Sequence, residues 1–484
     1  MNTIHPKLLI SILTLASFCV LSHWNMWTYD VYAFGFNTTI AWLSFIALLK
    51  YHNSDFSIHN NWVWLLPISF IVLSFSVYEN PWLKSVSTLL LPIAFGIFLA
   101  QSERHQQALT TWNYRYIYRL INQAFHPIKF VFPSTQLLFK TTQRVLKTQN
   151  SGMLKRITLG ITILFPLAAV SIILLSSADK NFSDLIQKLA LNVFHVIDIE
   201  MVLKAFFVMV LSIIILSTLI AWKKPFSMDS DSEPQTIDHI IAVIVVGGLL
   251  MIYSLFLLLQ IEYLIVDSLP IDFDKTEHLV KSGFWQLFFL SLLNVVLFTL
   301  LYKNTSAIAQ FLLTAFIAAS GLLLLSAAWR MGLYVFYYGF SYEKFFASYT
   351  CLFALVLFVF LVIASVNKTR KDILKVILFS ALWCYAIATL LPIEKIILHS
   401  NTALAKHEDS RINLVHLKFL SADILNNIQN SHTNSIQTQP SMNGFSIDDN
   451  WSTLDWQRWI KQQQHFACSR AWYEKNISLI INCD

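Results

Sequence analysis

The sequence predicts an all-α polytopic integral membrane protein, with about eleven transmembrane helices and a small extracytoplasmic C-terminal domain. Three observations carry this prediction. Of the 484 residues, 56% are hydrophobic and 13% charged, against about 25% charged in ordinary soluble domains; mean hydropathy is +0.57. The apolar residues gather in runs near the roughly 20 residues that a helix needs to cross a bilayer. Basic residues concentrate in alternate connectors between those runs, the bias that sets orientation. A soluble chain of this length can bury a sizeable core, but not this much apolar surface.

The expected spans lie at about 7–27, 31–49, 62–78, 82–100, 157–177, 201–222, 239–261, 284–302, 308–328, 346–366 and 376–393. The first is read as a retained helix rather than a signal peptide, because no A-x-A-like cleavage site follows it. With the N-terminus inside, the inner connectors carry Lys7, Lys50, Lys223, Lys224, Lys303, Lys368, Arg370, Lys371 and Lys375. The outer ones carry Asp179, Asp184, Asp198, Glu200, Asp267, Asp272, Asp274 and Glu277. An odd number of spans then leaves the tail outside.

Four regions follow. Residues 1–100 form an N-terminal four-helix membrane region, and 157–393 a seven-helix membrane region. Between them, 101–156 is a basic amphipathic segment with no acidic residue after Glu103. Leu109, Trp112, Tyr116, Ile117, Leu120, Ile121 and Ala124 repeat at a helical period, with Arg115 and Arg119 on the opposite face. Such a helix lies in the cytoplasmic interface and attracts anionic lipid; its aromatic positions are committed to the apolar face, which excludes nucleic acid as a partner. Residues 394–484 are polar and form the extracytoplasmic domain, a docking surface for an envelope protein partner. Cys468 and Cys483 lie in this tail. An outer location permits a disulfide between them; otherwise they are two unpaired thiols. Cys19, Cys351 and Cys384 sit in apolar runs, where a thiol behaves as a small hydrophobe.

Arg330 follows a long apolar run and adjoins Trp329, an arrangement in which arginine reaches for the headgroups. Glu262, in "LLLQIEYLIVD", has similar depth on the same side. The two charges together suggest a pair across helices, with Lys281 or the tail as other partners for Arg330. Gly247 and Gly248, and Ser320 and Gly321, suggest close helix contact. No G-x-x-x-x-G-K-[ST], G-x-S-x-G or H-E-x-x-H motif is present, and no Cys or His spacing suits a metal. The sequence therefore nominates no catalytic, cofactor-binding or metal residue, and an enzyme is the less favoured class.

The stretches "SSADKNFSDL", "QIEYL", "LVKSGFWQLFFLSLLN", "RMGLYVFYYGFSYEKFF" and "LVHLKFLSADIL" occur in that order. Together, over roughly 155–430, they resemble the DUF4153/DUF4173 family of bacterial polytopic membrane proteins. The family-like positions are Gly283, Phe284, Arg330, Tyr334, Tyr338 and Gly339. The chain departs at Lys281, where an arginine is common, and after Tyr338-Gly339, where Phe340-Ser341 followed by Glu343-Lys344 stand in place of the usual Leu-Thr and then an arginine. The resemblance implies the fold class and the bacterial cytoplasmic (inner) membrane, and it implies no reaction. The resulting functional expectation is a non-catalytic envelope role in sensing, assembly or regulation. The alternative is a transporter or permease for a small solute or lipid-linked substrate, with Glu262 and Arg330 lining an outer vestibule.

Overall fold

Helices account for nearly all regular structure, and no strand occurs among the described residues. The computed structural model describes residues 5–26, 30–52, 58–101, 121–122, 125–146, 199–223, 239–264, 273–302, 306–367, 373–407, 410–430 and 453–483. Five of these helices are long and apolar enough to cross a membrane, or six if one bent pair counts as a single span. They are Pro81–Phe98, Glu200–Trp222, Ile240–Leu258, Ala307–Tyr338 and Tyr342–Val366; the bent pair is Val376–Leu390 with Ile393–Leu404, at 68°. Pro6–Ser22, Trp62–Val77 and Phe284–Thr299 are apolar but shorter. The expected span at 157–177 lies outside the described residues.

The chain divides into two units. The first comprises residues 1–33, 37–59 and 122–226. Here α1 (Pro6–Ser22), opened by a proline whose missing N–H would be unpaired anyway, packs on α6 (Ile199–Lys223). Asn37, at the start of α2 (Phe36–His52), donates to the carbonyls of Ser22 and Ala33 at 2.8 and 2.9 Å. A 3₁₀ turn at His126–Phe130 runs into α5 (Val131–Leu146), and both pack on α6. Most of the expected amphipathic repeat before it lies outside the described residues. Phe125, Ile128 and Phe132 are exposed at a helical period beside Lys129.

The second unit comprises residues 34–36, 60–121 and 227–484. It contains most of α3 (Ile58–Val77) and all of α4 (Pro81–Gln101), α7 (His239–Leu264), α8 (Phe273–Leu301), α9 (Ala307–Tyr338), α10 (Tyr342–Val366), α11 (Ile373–Leu390) and α12 (Ile393–Leu404). The tail adds α13 (Leu425–Asn430), α14 (Thr453–Cys468) and α15 (Ile477–Cys483). Helix α9 is the hub and packs against α7, α8 and α10. Its core face carries Leu313, Phe316, Ile317, Leu324 and Tyr334, all nearly fully buried.

Polar groups join these apolar helices. Tyr253 donates to Asn294 at 2.8 Å, and Asn294 donates to Ser320 at 2.9 Å, linking α7, α8 and α9. Such bonds average about 0.6 kcal/mol within a membrane. At Gly321 an added Cβ would lie 3.6 Å from Phe358, an ordinary contact between α9 and α10. At Gly247 and Gly248 the expected close approach is not seen among the described residues, where an added Cβ meets nothing within 4 Å.

The tail folds around its own apolar stripe. Trp456, Trp459 and Ile460 on α14 are buried at i, i+3 and i+4. They join Ile393, Ile397, Leu417, Leu425 and Leu479 in one cluster, which also takes in Leu83 of α4 and Phe345 of α10.

Candidate functional site

The densest polar feature begins in the short turn "YENP", residues 78–81. Pro81 opens α4 with the φ angle that a first helical residue needs. Asn80 Oδ1 accepts from Leu83 N at 3.1 Å, capping the free end. This geometry turns Glu79 and Lys84 inward, where they are 1% and 3% exposed. Lys84 Nζ donates to Glu79 Oε2 at 2.8 Å and to the Phe34 carbonyl at 2.6 Å.

The tail completes the cluster. Arg470, 6% exposed, donates through its guanidinium to Glu79 Oε1. Asn476 Nδ2 donates to Glu79 Oε2 at 2.5 Å. The Glu79 amide in turn donates to both carboxylate oxygens of Asp423 at 2.9 Å. One carboxylate thus answers two buried cations, and a second receives its backbone N–H. This satisfies the requirement that a buried charge be both paired and hydrogen-bonded.

Glu394, 2% exposed, stands just after the break between α11 and α12. The Tyr342 hydroxyl donates to its Oε1. Its Oε2 accepts from Ser421 N and Ser421 Oγ at 2.9 and 2.8 Å. Glu394 and Asp423 share a crevice with Tyr78, Asn80, Leu83, Leu391, Pro392, Ile393 and Lys395. Its free volume is about 10 Å³, room for about one water and no more.

Burial pushes the Asp423 carboxyl up to about 6 from 3.8, against the hydrogen bonds from Ser478 and the Glu79 amide. A carboxyl whose pKa is higher folded than unfolded binds more protons in the folded state between those values. Its contribution is present below about 4 and is lost as pH rises toward 6. Thermal unfolding in nanodiscs should therefore show the wild type losing stability relative to Asp423→Asn between pH 4 and 6. Parallel pH profiles for the two proteins would refute this.

The turn after α9 holds one of the family-like residues, Gly339. Gly339 has φ 71° and ψ 174°, a backbone conformation essentially confined to glycine. An added Cβ there would lie 2.7 Å from Asn401 Oδ1. Asn401 accepts from Phe340 N at 2.6 Å and donates to Phe340 O at 2.9 Å, tying α12 to this turn. Lys344 donates to the Tyr338 and Gly339 carbonyls at 3.2 and 3.0 Å, and its Nζ stands 4.2 Å above the Tyr334 ring. Lysine at 344 thus neutralises the C-terminal end of α9. Gly339→Ala should destabilise the protein by about 1–3 kcal/mol, read as a lower unfolding temperature; an unchanged value would show that the turn relaxes.

Of the residues that the sequence singled out, Tyr334 is buried at 1% exposure and Phe284 at 4%, both in the apolar core around α9. Arg330 is half-buried within α9, which runs on to Tyr338 instead of ending near 328. The side chains of Glu262 and Lys281, and the surroundings of Gly283 within α8, lie outside what the structure describes, and so does any pairing of the first two with Arg330. A disulfide joins Cys468 to Cys483. Glu79, Lys84, Glu394, Asp423 and Arg470 were not singled out. The only local signal was a charge at the edge of an apolar run, as at Glu79 and Lys84.

A family model described as a domain of unknown function, DUF4153, matches residues 65–431. The chain belongs to that family. The match begins at residue 65, earlier than the motifs quoted above, and so takes in Glu79 and Lys84 along with Glu394 and Asp423. Arg470, Asn476 and the disulfide lie beyond it. The chain's own apolar helices make it a membrane protein by composition. No curated protein and no solved structure gives a significant match.

Proposed function

We propose that the protein is a multi-pass component of the bacterial cytoplasmic membrane with a non-catalytic role in envelope sensing, assembly or regulation. The pairing of the carboxylates within the buried charge cluster carries this reading. Its carboxylates are occupied by groups of the chain itself, and the adjoining crevice has room for about one water. Such a site binds the tail and leaves no room for a substrate, whereas small-molecule pockets run to roughly 300 Å³ or more.

The proposed topology has eleven spans, a cytoplasmic N-terminus and an extracytoplasmic domain at 394–484. Charge counting puts residues 34–36, 78–81, 339–341 and 391–392 in outer loops or at the outer ends of the expected spans. All four stretches meet tail residues, through Lys475, Asp423, Asn401 and the cluster around Ile393. The disulfide supports the same side, since such bonds persist in oxidising compartments. Segment 101–156 would lie on the inner interface, with Phe125, Ile128 and Phe132 toward lipid. The tail would dock an envelope protein.

A transporter is the second reading. The 68° break between Val376–Leu390 and Ile393–Leu404, with buried Glu394 beside it, favours it, because transporters site ligands at broken helices. Profiling a deletion strain against its complemented control, over soluble metabolites, envelope lipids and glycans, separates the two. An envelope-stress defect with no discrete compound altered supports the first reading. A single compound that accumulates, and returns to normal on complementation, overturns it in favour of transport.

A further inference from the structure

We infer that the Cys468–Cys483 disulfide is a redox modification site, a latch that a dithiol reductant opens to release Arg470 and Asn476 from Glu79. The inference rests on the proposed outer location of the tail and deepens the sensing role. Its grounds are the contrast between the bond and the loop it closes. Cys468 is exposed and Cys483 half-buried, so a reductant can reach the bond. The fourteen residues between them supply buried groups. Arg470 and Asn476 bind Glu79, Leu479 enters the apolar cluster, and Asn482 donates to the Ala422 carbonyl at 2.7 Å. The Lys475 carbonyl accepts from Phe36 N at 3.1 Å.

The helix that carries Asn482, α15, has seven residues, below the length at which an isolated helix holds itself together in water. Its position depends on packing and on the disulfide, which ties both ends of the loop to the end of α14. A ring of this size confines the unfolded loop strongly, so opening the ring shifts the local equilibrium toward release.

The chemistry balances with a dithiol as the only co-reactant. Its thiolate attacks the exposed Cys468 sulfur, a mixed disulfide forms, and Cys483 leaves as a thiolate that takes up a proton. The second thiol of the reductant then displaces Cys468, which is protonated in turn. Two electrons have passed from the dithiol, now a disulfide, to the protein. Inside the lock, Glu79 loses the guanidinium and the amide and keeps Lys84.

The test uses the full chain in nanodiscs, treated with reduced or oxidised dithiothreitol, then alkylated and digested briefly with trypsin. Reduction should add two alkyl groups, at Cys468 and Cys483. Cleavage after Arg470 and Lys475 should then rise by at least about tenfold, because proteolysis follows the population of the open form. Cys468→Ser/Cys483→Ser should be cleaved at the fast rate without reductant and should not respond to it. Because that variant can fail to fold, the reduced wild type carries the test. A disulfide that resists the dithiol until the protein is denatured overturns the latch, as does complete reduction with cleavage unchanged. Either result leaves the deletion-strain profile standing. A latch that opens as expected, in a protein whose deletion causes single-compound accumulation, supports the latch and removes the sensing role.

Discussion

Replacing Glu79 by glutamine should destabilise the protein by about 3–5 kcal/mol, the scale seen when one partner of a buried ion pair is removed. The size follows from what stays behind. Lys84 and Arg470, 3% and 6% exposed, both rely on this carboxylate, and glutamine leaves two buried cations facing each other. Arg470→Met should cost less, about 1.5–3 kcal/mol, near the value of a hydrogen bond to a charged group, because Glu79 keeps Lys84. Glu200→Gln is the comparison. The Glu200–Lys204 pair is short at 2.6 Å, but Glu200 is 56% exposed, and pairs of that kind contribute under about 1 kcal/mol. Thermal unfolding of the three variants in nanodiscs checks the ranking. Equal shifts for Glu79→Gln and Glu200→Gln would show that the cluster contributes nothing special.

Gly35→Ala is the second large effect. An alanine Cβ would lie 2.3 Å from the Lys475 carbonyl oxygen and 2.4 Å from that of Glu474. Both are backbone atoms, so no side-chain rotation relieves the overlap. The tail must move away and give up the bond from Phe36 N to Lys475 O. A loss of about 3 kcal/mol is expected, at the upper end of overpacking penalties, together with faster trypsin cleavage after Lys475. Gly248→Ala should change stability by less than about 0.5 kcal/mol, since its Cβ meets nothing within 4 Å. A Gly35→Ala protein with wild-type stability would mean that the tail does not sit against residues 34–36.

The helices were legible because hydrophobic length is local information. Each expected span that falls on described residues coincides with a helix, from Pro6–Ser22 to Ile373–Leu390. Their ends were less so. Helix α9 passes 328 and stops only at Gly339, whose positive φ ends it. Helix α8 begins at Phe273 rather than near 284, because its polar first turns are compatible with a helix and only the hydropathy drops there. Arg330 therefore sits about 12 Å inside the end of α9 at 1.5 Å per residue. The pairing within the charge cluster was not legible. Glu79 and Arg470 are separated by 391 positions, and neither stands in a pattern that marks a partner. The tail's polarity read as an outer surface, whereas several of its polar residues, Asp423, Arg470, Glu474, Asn476 and Asn482, are turned inward and buried.

The central claim is that the C-terminal domain closes over this cluster on the outer side of the membrane. Fusing alkaline phosphatase and, separately, green fluorescent protein after residue 484 tests it most directly, because each reporter works on one side only. The account predicts an active phosphatase and a dark fluorescent protein. A bright fluorescent protein with an inactive phosphatase would contradict it, and would move the lock, the disulfide and the proposed partner surface to the cytoplasm.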